Sequence, residues 1–327
     1  MTSSRILTAC AAIAALLLAG CSSTGGARNN TAESASSGSS QTSQTIAVIS
    51  HGAQGDSFWD VVKKGAEDAG ERFNAKVTYQ GEADPQAQSQ AIDNAVAQHV
   101  NGIVVSMANP DGVKDSVEAA VAAGIPVVTI NAGQEQSAQF GALEHIGQDE
   151  SVAGNMAGRQ FKEAGATKVL CVIHEAGNIS QETRCKGAEE AFGGPMPHLQ
   201  VDISNLSEAE STIKTALQAD PSIDGVLTLN SAVATSAAQA ISGLSTKPIL
   251  GTFDLDKDVL GLIQNHSASF AIDQQPYLQG FLGVQSLVMH NEGGFVLGGG
   301  EPVLTGPAVV TAENVDTAAE GIEAGIR

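Results

Sequence analysis

One unit occurs twice in this chain. Gly65-Ala66-Glu67-Asp68 recurs as Gly187-Ala188-Glu189-Glu190, and Asn101-Gly102-Ile103-Val104 recurs as Asp224-Gly225-Val226-Leu227. Ile125-Pro126-Val127-Val128 lines up with Lys247-Pro248-Ile249-Leu250. The offsets are 122, 123 and 122 residues, nearly constant over some sixty residues. A duplication of this kind restricts the chain to two homologous lobes, each with its own sheet.

Within the first unit, apolar β-rich runs cover Thr45 to Ser50, Ala75 to Gln80, Gly102 to Ser106 and Pro126 to Asn131. Between them, Trp59 to Phe73, Gln86 to Gln98 and Asp111 to Ala123 place apolar residues at helical spacing. The second unit repeats the order with strands at Lys168 to Ile173, Leu199 to Ile203, Gly225 to Leu229 and Pro248 to Thr252. Val and Ile run almost unbroken through these strands. That pattern marks parallel sheets covered on both faces, so the expected fold is α/β, with two similar doubly wound lobes. Open parallel sheets bind ligands at the carboxyl ends of their strands, and two facing lobes make a cleft there.

The first residues bear on the compartment. Arg5 precedes a short apolar run from Ile6 to Leu18, then Leu18-Ala19-Gly20-Cys21. A spanning helix needs roughly 20 apolar residues, so the run reads as a cleaved signal over 1–20. Leu-Ala-Gly-Cys resembles the bacterial lipobox, which makes Cys21 the lipidated first residue; an ordinary signal peptide containing a cysteine is the competing reading. Residues 22 to 44 hold eight Ser, three Thr and three Gly, and no aromatic residue. Such a segment cannot bury enough surface to offset its ordering entropy, so 21–44 is expected to be a flexible linker. It would hold the folded part on the order of 25 Å from the lipid. No other segment is long and apolar enough to span a bilayer, which places the protein extracytoplasmic, tethered to the outer face of the cytoplasmic membrane.

The chain's formal charge is −20, and cleaving the signal removes one cation, Arg5, to leave −21. That charge disfavours nucleic acid as a partner, since binding there depends on basic patches that neutralise phosphates, and no such partner is expected. Beyond Cys10 and Cys21 only Cys171 and Cys185 are left. Two cysteines in an oxidising compartment suggest a disulfide, with zinc held by two thiolates as the weaker alternative. One follows a strand and the other opens a helix.

The strand ends carry the candidate site. After the first strand comes Gly55-Asp56-Ser57-Phe58-Trp59, with the only tryptophan of the chain. Aromatic rings lie against the apolar faces of sugars, while a carboxylate accepts hydroxyl hydrogen bonds. Asp56 as a helix N-cap, with Phe58 and Trp59 as core residues, is the competing structural reading. Asn131 ends the fourth strand, and its counterpart 123 residues later is Asp254. Asn230 follows the third strand of the second unit, and a loop leads through Asn178 to Arg184, which opens a helix. Each could be a turn, a cap or a surface charge. Their joint placement at strand ends of facing lobes favours the cleft.

These residues resemble the type I periplasmic sugar-binding proteins, the group of the ribose- and galactose-binding proteins, over roughly residues 45 to 312. The resemblance rests on Asp56-Ser57-Phe58-Trp59 with the Lys-Gly-Ala-Glu helix, Arg184-Cys185-Lys186-Gly187, Leu229-Asn230, Thr252-Phe253-Asp254 and Ile272-Asp273-Gln274-Gln275-Pro276. It implies that Phe58 and Trp59 sandwich a sugar ring while Asp56, Arg184, Asn230, Asp254 and Gln274 bind hydroxyls. It also implies a three-segment hinge with crossings near Gly147, Gln274 and Thr305, closing around the ligand. The lobes would then be 45–147 plus 275–304, and 148–274 plus 305–327. One departure is that ribose-binding relatives place Asp-Arg where this chain has Asn131-Ala132, which counts against ribose.

Other motifs fail. Gly55-Asp56-Ser57 looks like the start of a lipase-type esterase motif. That chemistry needs a histidine base oriented by an aspartate, and no histidine here follows an aspartate by three residues. Asp254-Leu255-Asp256-Lys257-Asp258 begins like a calcium loop but has Val259 and Asn265 where Gly and Glu belong. No Walker loop and no His-Glu-x-x-His motif occur, and the seven His read as scattered surface or core residues.

The expectation is therefore a non-enzymatic, cofactor-free, monomeric solute-binding lipoprotein. It would capture a pentose, hexose or inositol and deliver it to an ABC permease. A sensory receptor for a kinase or chemoreceptor is the rival among binding proteins, and an exported esterase with Ser57 as nucleophile is the rival from another class. A sugar-responsive repressor half is set aside because an export signal is present and a DNA-binding head is absent.

Overall fold

The computed structural model describes residues 43–327 apart from residue 54. The signal, Cys21 and all but the last two linker residues lie outside the described residues.

The first sheet is built from β1 (Thr45–Ser50), β2 (Lys76–Gly81), β3 (Gly102–Ser106), β4 (Val127–Ile130) and β5 (His145–Gly147), with α1 (Ser57–Phe73), α2 (Pro85–Ala97), α3 (Pro110–Ala122) and the short α4 (Gln134–Ser137) between them. After α5 (Glu150–Glu163) the second sheet begins, with β6 (Val169–Ile173), β7 (His198–Gln200), β8 (Gly225–Thr228), β9 (Ile249–Phe253) and β10 (Phe270–Asp273). Its intervening helices are α6 (Ile179–Phe192), α7 (Leu206–Ala219), α8 (Ser231–Ser242) and α9 (Lys257–Gln264). Then α10 (Pro276–Gly293) and β11 (Val303–Leu304) return to the first sheet, and β12 (Ala308–Thr311) and α11 (Val315–Glu323) close the second.

The strand orders are β11-β5-β4-β3-β1-β2 and β12-β10-β9-β8-β6-β7. All pairs are parallel except β10 with β12. The duplication extends to register. Ile46 pairs with Gly102 and Val169 with Gly225, each partner shifted by 123. Ile103 pairs with Val127 and Val226 with Leu250 in the same way.

Each sheet is buried on both faces because successive side chains alternate between two helical layers. In the first, Ile103 and Val105 join the cluster under α2 and α3, while Val104 joins that under α1 and α10. The helix pairs meet through glycine. A Cβ on Gly280 would lie 1.9 Å from Val62 O in α1, and one on Gly158 in α5 would lie 2.1 Å from Ala188 O in α6. Any side chain at these positions would push the helices apart.

Two local expectations change. Helix α6 starts at Ile179 with Asn178 as its N-cap, so Arg184 and Cys185 lie in its second turn instead of opening it. Cys171 lies within β6 and does not follow it. A disulfide joins Cys171 to Cys185, with Cα atoms 6.0 Å apart.

Candidate functional site

The site is assembled where the carboxyl ends of the two sheets face each other. The lobes are in contact there. Ile179 N–H donates to Ala108 O across the gap at 3.1 Å, and Ser57 Oγ lies 3.3 Å from Ser231 Oγ.

Asp56, Asn178 and Asn230 are helix N-caps, so capping and facing the cleft are not alternatives. Asp56 Oδ1 accepts from Phe58 N–H at 3.0 Å, Asn178 Oδ1 from Ser180 N–H at 2.9 Å, and Asn230 Oδ1 from Ala232 N–H at 2.8 Å. Each cap fixes one side-chain atom on the helix and leaves the other for the cleft. Asn230 Nδ2 donates across it to Asp56 Oδ2 at 3.4 Å.

Asn131 and Asp254 hold their places differently. Both follow a buried strand with left-handed backbone, φ 61° and 69°. That conformation is tolerated by Asn and Asp, and it turns the chain sharply at the sheet end. Gln274 lies between them. Arg184 Nη2 also donates to Gln274 Oε1, at 3.1 Å.

Arg184 is buried and clamped. Its Nε donates to Glu150 Oε2 at 2.6 Å and its Nη2 to Glu150 Oε1 at 2.9 Å, a bidentate pair. Its guanidinium lies 4.9 Å from the centre of the Phe253 ring. Burial works against the Arg184 charge, but Glu150 outweighs it and the guanidinium stays charged.

Phe58 and Trp59 both line the cavity. Their rings touch each other edge to face, with centroids 5.1 Å apart and planes at 80°. No ring fits between them, so the implied sandwich is not formed; the two make a single wall. The reason lies in packing. A Cβ on Gly52 would come within 2.3 Å of Trp59 Cγ, so the indole is pressed against the backbone after β1.

The cavity lining also includes four residues that the strand-end reading passed over: His51, His174, Glu175 and Gln181. Two of them carried a signal, for His51 follows β1 and His174 follows β6, again 123 residues apart. Glu150 carried none, because it opens α5 just after β5, a three-residue strand that no apolar run marked.

The lining is polar and rich in carboxylates. Burial pushes Asp254 up to about 8, with Arg184 pulling the other way, and pushes Asp56 up to about 6. Arg184 is the one fixed cation in the lining, and Glu150 already neutralises it. An anionic ligand would find no uncompensated positive charge. A neutral ligand with many hydroxyls would find donors and acceptors from both lobes.

The two discarded motifs have structural roles. Ser57 Oγ donates to Asp256 Oδ2 at 3.4 Å, and its hydrogen-bond partners among the described residues include no histidine. Asp256 caps α9, accepting from Val259 N–H at 2.8 Å. Among the described residues no cluster of His, Cys, Asp and Glu is arranged to hold a metal ion.

Residues 46–294 match the family model of a periplasmic binding protein domain. The ribose import binding protein of Bacillus subtilis is 26% identical over 238 residues, covering 70% of this chain and 76% of that one. The D-apiose import binding protein of Paraburkholderia graminis is 26% identical over 242 residues, covering 70% and 75%. The crystal structure of a carbohydrate transporter from Acidothermus cellulolyticus in complex with myo-inositol superimposes with a TM-score of 0.85. It is 39% identical, and the match covers 87% of this chain and 100% of that one.

Proposed function

The chain belongs to the periplasmic binding protein family, and on that premise we propose that it is the sugar- or inositol-capturing lipoprotein of an ABC importer. Its relatives include import binding proteins for ribose and D-apiose, and its own site fits that work. The observation that carries the reading is the charge and polarity of the cleft. Asp56, Asn131, Asn178, Arg184, Asn230, Asp254 and Gln274 surround it beside the Phe58–Trp59 wall, and its one fixed cation is spoken for. A neutral polyhydroxylated ring matches such a lining, and the myo-inositol held by the 39% identical structure belongs to that class.

The lobes are 45–147 with 275–304, and 148–274 with 305–327. Ligand contacting both lobes at once favours the closed arrangement by its differential affinity for it. The closed monomer docks on its permease, and the chain emerges from its signal as a protein lipidated at Cys21, tethered through 21–44. Hydroxyl bonds to the buried carboxyls contribute about 0.5–1.5 kcal/mol each where the carboxyl keeps its proton and about 1.5–3 kcal/mol where it is ionised.

Calorimetric titration of residues 22–327 with myo-inositol, D-glucose, D-arabinose and D-ribose, and with inositol monophosphate, tests the ligand class. Saturable binding of a neutral ligand, with none for the phosphate, is expected. Binding of the phosphate alone would overturn the reading. Mass spectrometry of the protein from membranes is expected to find a diacylglyceryl group on Cys21.

A further inference from the structure

His51 and His174 come from opposite lobes at equivalent positions, and both are buried. Their hydrogen bonds fix where each carries its proton. His51 N–H donates to Ser106 Oγ at 2.9 Å, and the same Oγ lies 2.7 Å from His51 Nδ1. Ser106 Oγ has no further hydrogen-bond partner among the described residues, so its hydroxyl proton is satisfied only by donating to Nδ1, which leaves the His51 proton on Nε2. Gln181 Oε1 accepts from the N–H groups of His174 at 3.0 Å and Glu175 at 3.3 Å, which fixes its amide. Gln181 Nε2 therefore donates to His174 Nε2 at 3.1 Å and to Glu175 Oε2 at 3.2 Å. Burial lowers both imidazoles, His174 to about 4, so both are neutral at ordinary pH.

Glu175 is held by this scaffold. Its Oε2 takes a second donor, Asn178 Nδ2, at 2.5 Å. Its Oε1 accepts no hydrogen bond among the described residues. His51 Nε2, carrying its proton, stands 3.8 Å from Glu175 Oε2 across the cleft. That is beyond hydrogen-bond reach, so the donor of one lobe and the acceptor of the other face each other unbonded.

Building on the sugar-binding reading, we propose that His51 and Glu175 are a specificity pair that demands a free hydroxyl at one ligand position. That hydroxyl accepts from His51 Nε2–H and donates to Glu175, joining the lobes through one oxygen. Gln181, Asn178 and His174 act as positioning residues for the carboxylate. A hydrogen at that position offers neither function, and a fluorine offers only weak acceptance.

The test is calorimetric titration with myo-inositol and its monodeoxy and monodeoxyfluoro analogues, on wild type, Glu175→Gln and His51→Phe. Wild type is expected to bind one deoxy and the matching fluoro analogue about 10- to 100-fold more weakly than myo-inositol. In Glu175→Gln, whose oxygen stays with Asn178 and Gln181, an amide N–H replaces Oε1. The ligand no longer needs to donate, and the gap between parent and fluoro analogue is expected to close to about twofold or less. His51→Phe, which keeps an aromatic ring beside Trp59, is expected to shrink the deoxy penalty. Equal penalties in wild type and both folded variants would overturn the pair while leaving the sugar reading intact. Wild type that binds neither myo-inositol nor any hexose would overturn both.

Discussion

Asn131 and Asp254, 123 residues apart and from different sheets, meet on one side chain. Asn131 Nδ2 donates to Gln274 Oε1 at 3.2 Å, and Gln274 Nε2 donates to Asp254 Oδ1 at 2.5 Å. Gln274 follows β10, on the segment by which the chain returns to the first sheet, so the duplicated pair is tied at a hinge strand. Asp254 is the carboxyl of the pair; below about pH 8 it keeps its proton and can both donate to and accept from a ligand hydroxyl, so its loss should be felt more. Asp254→Ala is expected to weaken ligand binding about 10- to 100-fold, and Asn131→Ala about 2- to 10-fold, by titration calorimetry.

Stability should depend on pH through the same carboxyl. Asp254 rises from 3.8 to about 8 on folding, so between these values the folded chain binds a proton that the unfolded chain has released. Stability then falls as pH rises across that window. Below about 6.5 the buried histidines oppose it, since a lowered imidazole makes stability fall as pH drops. The carboxyl effect therefore stands alone between pH 6.5 and 8. Urea melts of ligand-free protein are expected to show declining stability over that interval, and Asp254→Asn is expected to flatten it.

Glu150 supports the site from behind. Both it and Arg184 are nearly buried, with side chains 10% and 5% exposed. Removing one partner leaves an uncompensated buried charge, at a cost of about 3–5 kcal/mol. Glu150→Ala is expected to lose that much in urea melts and to weaken ligand binding as well, because Arg184 is no longer held against Phe253. A variant as stable as wild type would contradict the clamp.

Much of this was legible from residue spacing. The 123-residue offset carried the two sheets, their shared register and the Asn131–Asp254 pair, because duplicated strands keep side chains on equivalent faces. The same offset links His51 to His174, which a reading centred on Asn, Asp and aromatic residues passes over. Glu150 was not legible, for its partner is 34 residues away and only tertiary packing brings them together. The start of α6 was hidden for a related reason. Ser180 to Arg184 is a polar stretch because this end of the helix faces the cleft, so no apolar period announces it. The ring orientations of Phe58 and Trp59 depend on the bare backbone at Gly52, a packing fact that no local motif encodes.

The close helix crossings should be as sensitive as the site. With a Cβ 1.9 Å from Val62 O, Gly280→Ala must move α10 away from α1. Overpacking of this kind costs about 1–3 kcal/mol. Gly158→Ala is expected to do the same between α5 and α6, where the clearance is 2.1 Å. Thermal melts of the two single variants should give similar losses if the lobes are built alike.

Trp59 allows the most direct measurement. It is the one tryptophan, buried in the cleft wall with its ring 4.8 Å from that of His51. Fluorescence of residues 22–327 would be followed while myo-inositol, hexoses and pentoses are added in turn. Capture of a polyhydroxylated ring between the lobes gives a saturable change with one of them, shifted to higher concentration in Asp254→Ala. A folded, ligand-free protein whose fluorescence and heat of mixing respond to none of these compounds would contradict sugar capture and leave only the two-lobed fold.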